Sequence, residues 1–193
     1  MNTQLILSNI QEVVPLSGEE TELLESLLIP RPFKQGETIV KAGEPARFIL
    51  FVNAGYLMTY YTDKEDTDHV IRFAASGWWA GDIHTIDMDT ETLYSTKGLC
   101  DGEVLLLPRL AQSHLLKNHI HFERYFRILF QQSLRKQQLR FIESYCDSAE
   151  KRYQTFIQVY PGIEQYVPQK YIASYLGITP EFLSKIRRRL SQK

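Results

Sequence analysis

Residues 171–190 read Tyr171-Ile-Ala-Ser-Tyr-Leu-Gly-Ile-Thr-Pro-Glu-Phe-Leu-Ser-Lys-Ile-Arg-Arg-Arg-Leu190, and this stretch decides how the C-terminal part of the chain folds. Apolar residues at helical spacing end at Gly177, which favours a left-handed stop. Thr179 can then cap a second helix, with Pro180 at the first helical position, where a missing N–H costs nothing. Two short helices joined by a tight turn are typical of a helix-turn-helix, whose second helix enters the major groove of DNA.

The second predicted helix separates apolar from polar side chains. The residues expected to face inward are apolar and recur at short helical spacings: Phe182, Leu183, Ile186 and Leu190. The residues expected to face outward are polar or charged: Glu181, Ser184, Lys185 and Arg188. The same pattern would also fit an ordinary helical hairpin with a solvated charged face.

The charge distribution favours DNA binding over the plain hairpin. Residues 146–193 carry eight basic and four acidic side chains, a net charge of plus four. The other 145 residues carry 14 basic and 19 acidic side chains, a net charge of minus five. The overall charge of minus one therefore conceals a polarised molecule that attracts phosphates at one end.

Composition excludes several classes of protein. The chain has 193 residues, of which 44% are hydrophobic, and contains no run of eighteen apolar residues. Its first residues lack the basic region and apolar block of a secretion signal, so we expect a cytoplasmic protein that does not enter a membrane. Cys100 and Cys146 lie far apart, which indicates neither a disulfide framework nor a cysteine-built metal site. We expect no metal and no cofactor.

The residues between about 33 and 108 carry the signal of short strands separated by turns. The predicted strands are rich in β-branched and aromatic residues and lie at 37–41, 48–52, 56–61, 69–73 and 103–107. Short strands at this spacing indicate a sandwich or barrel. The first thirty residues, with a Leu-rich face, are predicted to form a helical lead-in.

A long uninterrupted helix is predicted at 119–145, where neither Gly nor Pro occurs. Its apolar stripe includes Phe122, Phe126, Phe130, Leu134 and Phe141. A stripe of this length needs a partner, which is either the β-domain or the same helix in a second copy of the chain.

The order of β-domain, long helix and helix-turn-helix resembles the CRP/FNR family of bacterial transcription regulators. The resemblance covers almost the whole chain and is strongest at Ser148-Ala-Glu-Lys-Arg-Tyr153 and at 168–181. It is weaker in the β-domain, where it rests on Gly43-Glu44, Asn53-Ala-Gly55 and Trp79-Ala-Gly-Asp82. It implies an α+β fold: an antiparallel, jelly-roll-like β-roll sensor at 1–118, a dimerisation helix at 119–145 and a DNA-binding domain at 146–193.

The resemblance also implies a function. Members of the family are homodimers that bind palindromic double-stranded DNA, couple a small-molecule effector in the β-roll to DNA affinity, and have no catalytic activity. RNA polymerase is a further partner to consider. The family usually continues into a β-hairpin wing after the recognition helix, and we expect a truncated wing here, because only residues 191–193 follow that helix.

The family's DNA contacts carry over to positions of this sequence. The positions expected to read bases are Pro180, Glu181, Ser184 and Lys185, with Ser184 also within reach of a phosphate. The positions expected to contact phosphates are Gln169, Lys170, Thr179, Arg187, Arg188 and Arg189. Pro180 departs from the basic residue that the family places there, so the base preference must differ.

The effector pocket departs further from the family pattern. Cyclic-nucleotide binders place an Arg on the cyclic phosphate, whereas the segment from Ile83 to Thr96 contains no Arg or Lys. Burying a phosphate without a cation costs roughly several kcal/mol. Arg72 could supply a charge from a neighbouring strand. We therefore expect an effector other than cyclic AMP, or none, at a pocket formed by Arg72, Trp79, Gly81, Asp82 and Tyr94. The simpler interpretation of the tryptophan is that it fills the barrel.

Other sensor chemistries and one enzyme class remain as alternatives. Two cysteines are too few for an all-thiolate iron–sulfur cluster. Haem ligation would need His69 or His84 to face a large pocket. A cupin-like metal or small-molecule enzyme with a helical C-terminal tail would use His119, His121 and Glu123, but residues two apart on a helix point in different directions.

Overall fold

The computed structural model describes residues 2–81 and 91–191. Its helices are α1 (Gln4–Gln11), α2 (Gly18–Leu27), α3 (Arg109–Asn118), α4 (Ile120–Cys146), α5 (Ala149–Val159), α6 (Gln169–Leu176) and α7 (Pro180–Leu190), with a 3₁₀ turn at Ile163–Gln165. Its strands are β1 (Ile29–Phe33), β2 (Thr38–Val40), β3 (Phe48–Ala54), β4 (Tyr56–Thr62), β5 (Asp68–Ala75), β6 (Trp79–Ala80), β7 (Ser95–Gly98) and β8 (Gly102–Pro108).

The strands form two antiparallel sheets that face each other. One sheet has the order β1-β8-β3-β6 and the other has the order β2-β7-β4-β5. Alternate residues of β3 and β8 point into the space between the sheets, where Leu50, Val52 and Val104 pack against Leu57 of β4. This alternation is the two-residue period of a strand with different surroundings on its two faces. The predicted α+β class with a β-roll is confirmed.

The outer face of the first sheet is covered by helices. Ile49 and Phe51 of β3 point away from the inter-sheet space and pack with α1, α2, α3 and the first turns of α4. Phe122 and Phe126 of α4 lie in this cluster and are 0% and 1% exposed. The N-terminal helical lead-in therefore completes the core of the β-roll.

The outer face of the second sheet is covered by the C-terminal helices. Met58, Val70 and Phe73 lie in one buried apolar cluster with side chains from α5, α6 and α7, among them Phe156 and Ile172. We call this group the sheet–helix cluster. Through it, the β-roll and the C-terminal helices share one core, so the orientation of α6 and α7 is fixed against the β-roll.

Strand β5 is an edge strand whose free backbone groups are bound by side chains from the helices. The Ser174 hydroxyl accepts from the N–H of Val70 at 3.0 Å and donates to the carbonyl of Asp68 at 3.2 Å. The Tyr160 hydroxyl donates to the carbonyl of Phe73 at 3.3 Å. Unpaired edge groups otherwise attract other chains, so these bonds protect the edge while they hold α6 in place.

Strand β1 was not predicted from the sequence, because Pro30 and Pro32 lie within its five residues. Proline cannot donate to a ladder, which makes a central strand improbable. β1 pairs with β8 alone and forms the edge of its sheet, where the missing N–H groups are tolerated. Across the described ranges, no helix has the length and apolar character needed to span a bilayer.

Candidate nucleic-acid interface

The turn between α6 and α7 is built by local signals. Gly177 ends α6 in the left-handed conformation, with φ of 67°, and the N–H of Ile178 returns to the carbonyl of Ala173 at 3.0 Å. Thr179 caps α7 by accepting from the N–H of Phe182 at 3.2 Å, and Pro180 takes the first helical position. These are the roles that the sequence predicted, and they fix the angle between the two helices.

The inner face of the helix pair is buried. Ile172 and Ala173 of α6 and Leu183 and Ile186 of α7 are at most 1% exposed and belong to the sheet–helix cluster. Phe182 was predicted to lie with them, and this prediction is wrong, because its side chain is 44% exposed. Leu183 and Ile186 occupy the centre of the buried face, and Phe182 falls on its flank.

The outer face of α7 presents polar side chains to solvent. Glu181, Ser184, Lys185 and Arg188 are all exposed, at the spacings that place residues on one side of a helix. Hydrogen bonds from its own backbone N–H and from Thr179 lower the pKa of Glu181. This carboxylate is therefore ionised at neutral pH and can only accept hydrogen bonds.

The start of α6 lies beside this face. Gln169, Ser184, Arg187 and Arg188 line one open groove, which Tyr153 and Ile157 of α5 also border. Lys170 is also exposed, with its ammonium 4.9 Å from the centre of the Tyr171 ring. The structure thus brings the predicted contact Gln169 of α6 together with Ser184, Arg187 and Arg188 of α7.

Two predicted phosphate contacts have acidic partners within the chain. Arg187 pairs with Glu164 at 3.5 Å, and Arg189 pairs with Glu150 at 3.0 Å. The acidic partners lie in the 3₁₀ turn and at the start of α5, so they could not be identified from the sequence near α7. Both arginine side chains remain partly exposed, and such exposed ion pairs are weak, so Arg187 and Arg189 stay predicted phosphate contacts that have acidic neighbours in the free protein.

Only some of the residues predicted to form the effector pocket lie around one cavity. A cavity of about 10 Å³ lies between the sheets and is lined by Gly81 and Tyr94, among others. Arg72 donates to the carbonyl of Gly81 at 2.7 Å, which places its guanidinium beside this cavity. A space of this size holds about one water molecule. Asp82 lies outside the described residues.

Trp79 does not belong to this pocket, and its prediction is corrected. Its register opposite Phe51 turns it to the outer face of the sheet. There its indole N–H donates to the hydroxyl of Tyr125 at 2.7 Å, and its ring meets that of Phe51 at 5.3 Å. Burial raises the pKa of Tyr125 to about 12, so this hydroxyl stays protonated. Trp79 thus fills the core under the helices.

The long helix α4 has two different parts. Phe122 and Phe126 are buried in their own chain and have no surface left for a second copy, so their predicted place in a dimer contact is wrong. Phe130, Leu134 and Phe141 are 40%, 56% and 65% exposed. Leu139 and Ile142, in the same part of the helix, are also exposed and were not among the predicted residues.

Of the three residues of the alternative metal site, His119 and His121 both approach the carboxylate of Glu20, whereas Glu123 has a different partner. His121 contacts the carboxylate of Glu20 at 2.9 Å, while Glu123 pairs with Arg127 at 3.2 Å. His119 lies 4.0 Å from Glu20. Within residues 2–81 and 91–191, no group of three or more His, Cys, Asp or Glu side chains is arranged so that it could hold a metal ion.

Comparison with known proteins matches residues 30–119 to the cyclic nucleotide-binding domain family. No curated protein sequence matches the chain. The resemblance inferred from the sequence is confirmed at the level of fold by solved structures. A candidate transcriptional regulator of the CRP/FNR family from Eubacterium rectale is 18% identical over 91% of this chain and 84% of its own, with a TM-score of 0.71.

Two further solved structures share the arrangement. FixK2 from Bradyrhizobium japonicum is 17% identical over 86% of this chain and 85% of its own, with a TM-score of 0.74. The c-di-GMP-responsive global regulator CLP of Xanthomonas campestris is 11% identical over 91% of this chain and 92% of its own, with a TM-score of 0.70. At these identities the similarity establishes the fold.

Proposed function

Because residues 30–119 match the cyclic nucleotide-binding domain family and the chain has the fold of CRP/FNR regulators, we propose that this protein is a DNA-binding transcription regulator. The observation that carries the proposal is the division of α7 into two faces. One face is fixed in the sheet–helix cluster, and the other presents Glu181, Ser184, Lys185 and Arg188 to solvent. A rigidly held helix with such a face fits the major groove.

Each exposed residue has a role that its chemistry permits. The ionised Glu181 accepts a hydrogen bond from cytosine N4, and Lys185 donates to guanine O6 or N7. Pro180 offers only apolar contact. Arg188, Gln169, Lys170 and Thr179 contact phosphates, which position the helix without reading sequence. Ser184 lies between the two groups and can serve either.

The protein acts as a homodimer on a palindromic site. The exposed residues Phe130, Leu134 and Phe141 follow one another at four and seven residues, a spacing that keeps them on one face toward a paired helix. A two-fold axis along α4 would present two copies of α7 to half-sites one helical turn apart. RNA polymerase is a partner that such a regulator would meet at a promoter.

An effector would change the affinity for DNA through β5. This strand carries Arg72 beside the inter-sheet cavity, while its edge is bonded to Ser174 of α6. A ligand that moves Arg72 would therefore displace the strand against which α6 rests. Such coupling requires that the ligand bind with different affinities to two conformations of the protein that differ in the position of α6.

The first prediction separates base reading from phosphate contact. Lys185→Ala is expected to weaken binding to the preferred site by about 1–3 kcal/mol and to relax preference at one base pair. Arg188→Ala should weaken binding to all sequences equally and flatten the dependence of affinity on salt by about one unit of slope. Selection from a random DNA pool, followed by salt titration of each variant, measures both effects. Identical site preferences for wild type and Lys185→Ala would refute the placement of α7.

The second prediction concerns cyclic AMP. No Arg or Lys lies between Ile83 and Thr96, and Arg72 already donates to the carbonyl of Gly81. We therefore expect no saturable binding of cyclic AMP in calorimetry at physiological concentration, since a buried phosphate would lack its cation. Micromolar affinity would contradict this expectation. Arg72→Ala would then show whether that arginine supplies the charge.

A further inference from the structure

Phe182 is an exposed aromatic residue on the first turn of α7. Phe182 is 44% exposed, whereas Leu183 and Ile186, on the buried face of the same helix, are at most 1% exposed. The N–H of Phe182 is held by the capping hydroxyl of Thr179 at 3.2 Å. The backbone that carries the ring is therefore fixed, and the ring projects from a rigid helix end.

Helical spacing places Phe182 on the side of α7 that also carries Lys185. Residues three apart lie on the same side of a helix, and both residues are exposed there. Arg189, one turn further along, is drawn toward Glu150 at 3.0 Å. The opposite side of α7, with Ser184 and Arg188, faces the groove shared with Gln169. The exposed surface of α7 thus has a polar side and a side with one large apolar group.

The major groove offers one apolar group among its base edges, which is the C5-methyl of thymine. An aromatic side chain that loses water against this methyl gains free energy, whereas the other base edges present donors and acceptors that a phenyl ring cannot satisfy. We propose that Phe182 contacts a thymine methyl and is a specificity-determining residue of the recognition helix. The inference rests on the proposed function, since it requires α7 to enter the major groove.

The test removes the methyl group without changing the base pair. The DNA site selected by the wild type is synthesised with deoxyuridine in place of each thymine in turn, and affinity is measured by fluorescence anisotropy. We expect deoxyuridine at one thymine of each half-site to weaken wild-type binding about fourfold, the effect of exposing one methyl-sized group. Phe182→Ala should bind the thymine and deoxyuridine sites equally, and Phe182→Leu should keep part of the difference.

Two variants serve as controls. Lys185→Ala should bind more weakly yet keep the full difference between thymine and deoxyuridine. Pro180→Ala should also keep it, which separates the phenyl ring from the other exposed apolar group of this turn. Because Phe182 is exposed, Phe182→Ala is expected to fold, and its melting curve checks this.

The outcomes separate the two proposals. If the wild type selects a site but tolerates deoxyuridine at every position, or if Phe182→Ala keeps the methyl dependence, the assignment of Phe182 is overturned while DNA binding stands. If the dependence disappears in Pro180→Ala instead, the methyl contact belongs to Pro180 and the assignment also fails. If no DNA is selected at all, the proposed function fails together with the inference.

Discussion

Leu134→Asp is expected to convert the protein from a dimer to a monomer and to abolish tight DNA binding. Leu134 is 56% exposed on α4, between Phe130 and Phe141, and none of the three belongs to a buried apolar cluster of the described chain. In a dimer the new carboxylate would be buried against its own copy across the two-fold axis, without a cation, which is a costly arrangement. A monomer would place α7 on one half-site alone, so affinity for the full site should fall by several orders of magnitude.

Light scattering and binding to the selected site measure the two effects of this substitution. Gln132→Asp provides the matched control, because it adds the same charge to an exposed position of the same helix. The control should remain dimeric and bind DNA with nearly unchanged affinity. A wild-type protein that is monomeric at micromolar concentration would contradict the proposed role of α4, as would a dimeric Leu134→Asp.

Phe156→Ala is expected to lower the free energy of unfolding by about 3–5 kcal/mol, the usual cost of removing a buried aromatic side chain. Phe156 is 2% exposed, and its ring meets those of Phe73, Tyr160 and Tyr175 at 5.8, 5.3 and 5.4 Å. The substitution would leave a cavity at the centre of the sheet–helix cluster. Since this cluster fixes α6 and α7 against the β-roll, DNA affinity should fall as well.

Urea unfolding measures the stability of this variant. Gln158→Ala lies on the same helix and is exposed, so it should change the free energy of unfolding by no more than about 0.5 kcal/mol. A loss of less than about 1 kcal/mol for Phe156→Ala would show that the C-terminal helices are not packed on the sheet as described. A shared core predicts that the β-roll and the helices unfold together in one transition. Unfolding in two separate steps would therefore contradict it.

The helix-turn-helix could be predicted from the sequence because its signals are local. Gly177, Thr179 and Pro180 each act within four residues, and the structure places each of them in its predicted role. Five strands, β2, β3, β4, β5 and β8, were also predictable, since turn residues bound their apolar runs, whereas β1, β6 and β7 were not predicted. The long helix was predicted within one residue at each end.

The features of the site that the sequence did not reveal come from contacts between distant parts of the chain. Trp79 lies on a two-residue strand, which is too short for alternation of apolar and polar residues to show which face of the sheet its side chain is on. Its pairing with Phe51 determines that face. Arg187 and Arg189 lie within a basic run, but their partners Glu164 and Glu150 come from other elements. Sequence spacing alone does not determine such pairings.

Phe122 and Phe126 were assigned to the wrong partner for the same reason. The stripe on α4 is continuous in sequence, yet its first two aromatic residues meet α1, α2 and the outer face of the first sheet. Only the part of the stripe that extends beyond this layer stays exposed. Helix α4 therefore begins with a segment that belongs to the core and continues as an exposed segment.

A hydroxyl-radical footprint of the wild-type protein on its selected DNA site tests the central claim most directly. We expect protected backbone on two half-sites related by two-fold symmetry, with centres one helical turn, or about 10 base pairs, apart. Protection should depend on Lys170 and Arg188, the basic residues assigned to phosphates. A single protected patch, or no protection at concentrations where the protein is folded and dimeric, would contradict the proposal that α7 of two chains binds DNA.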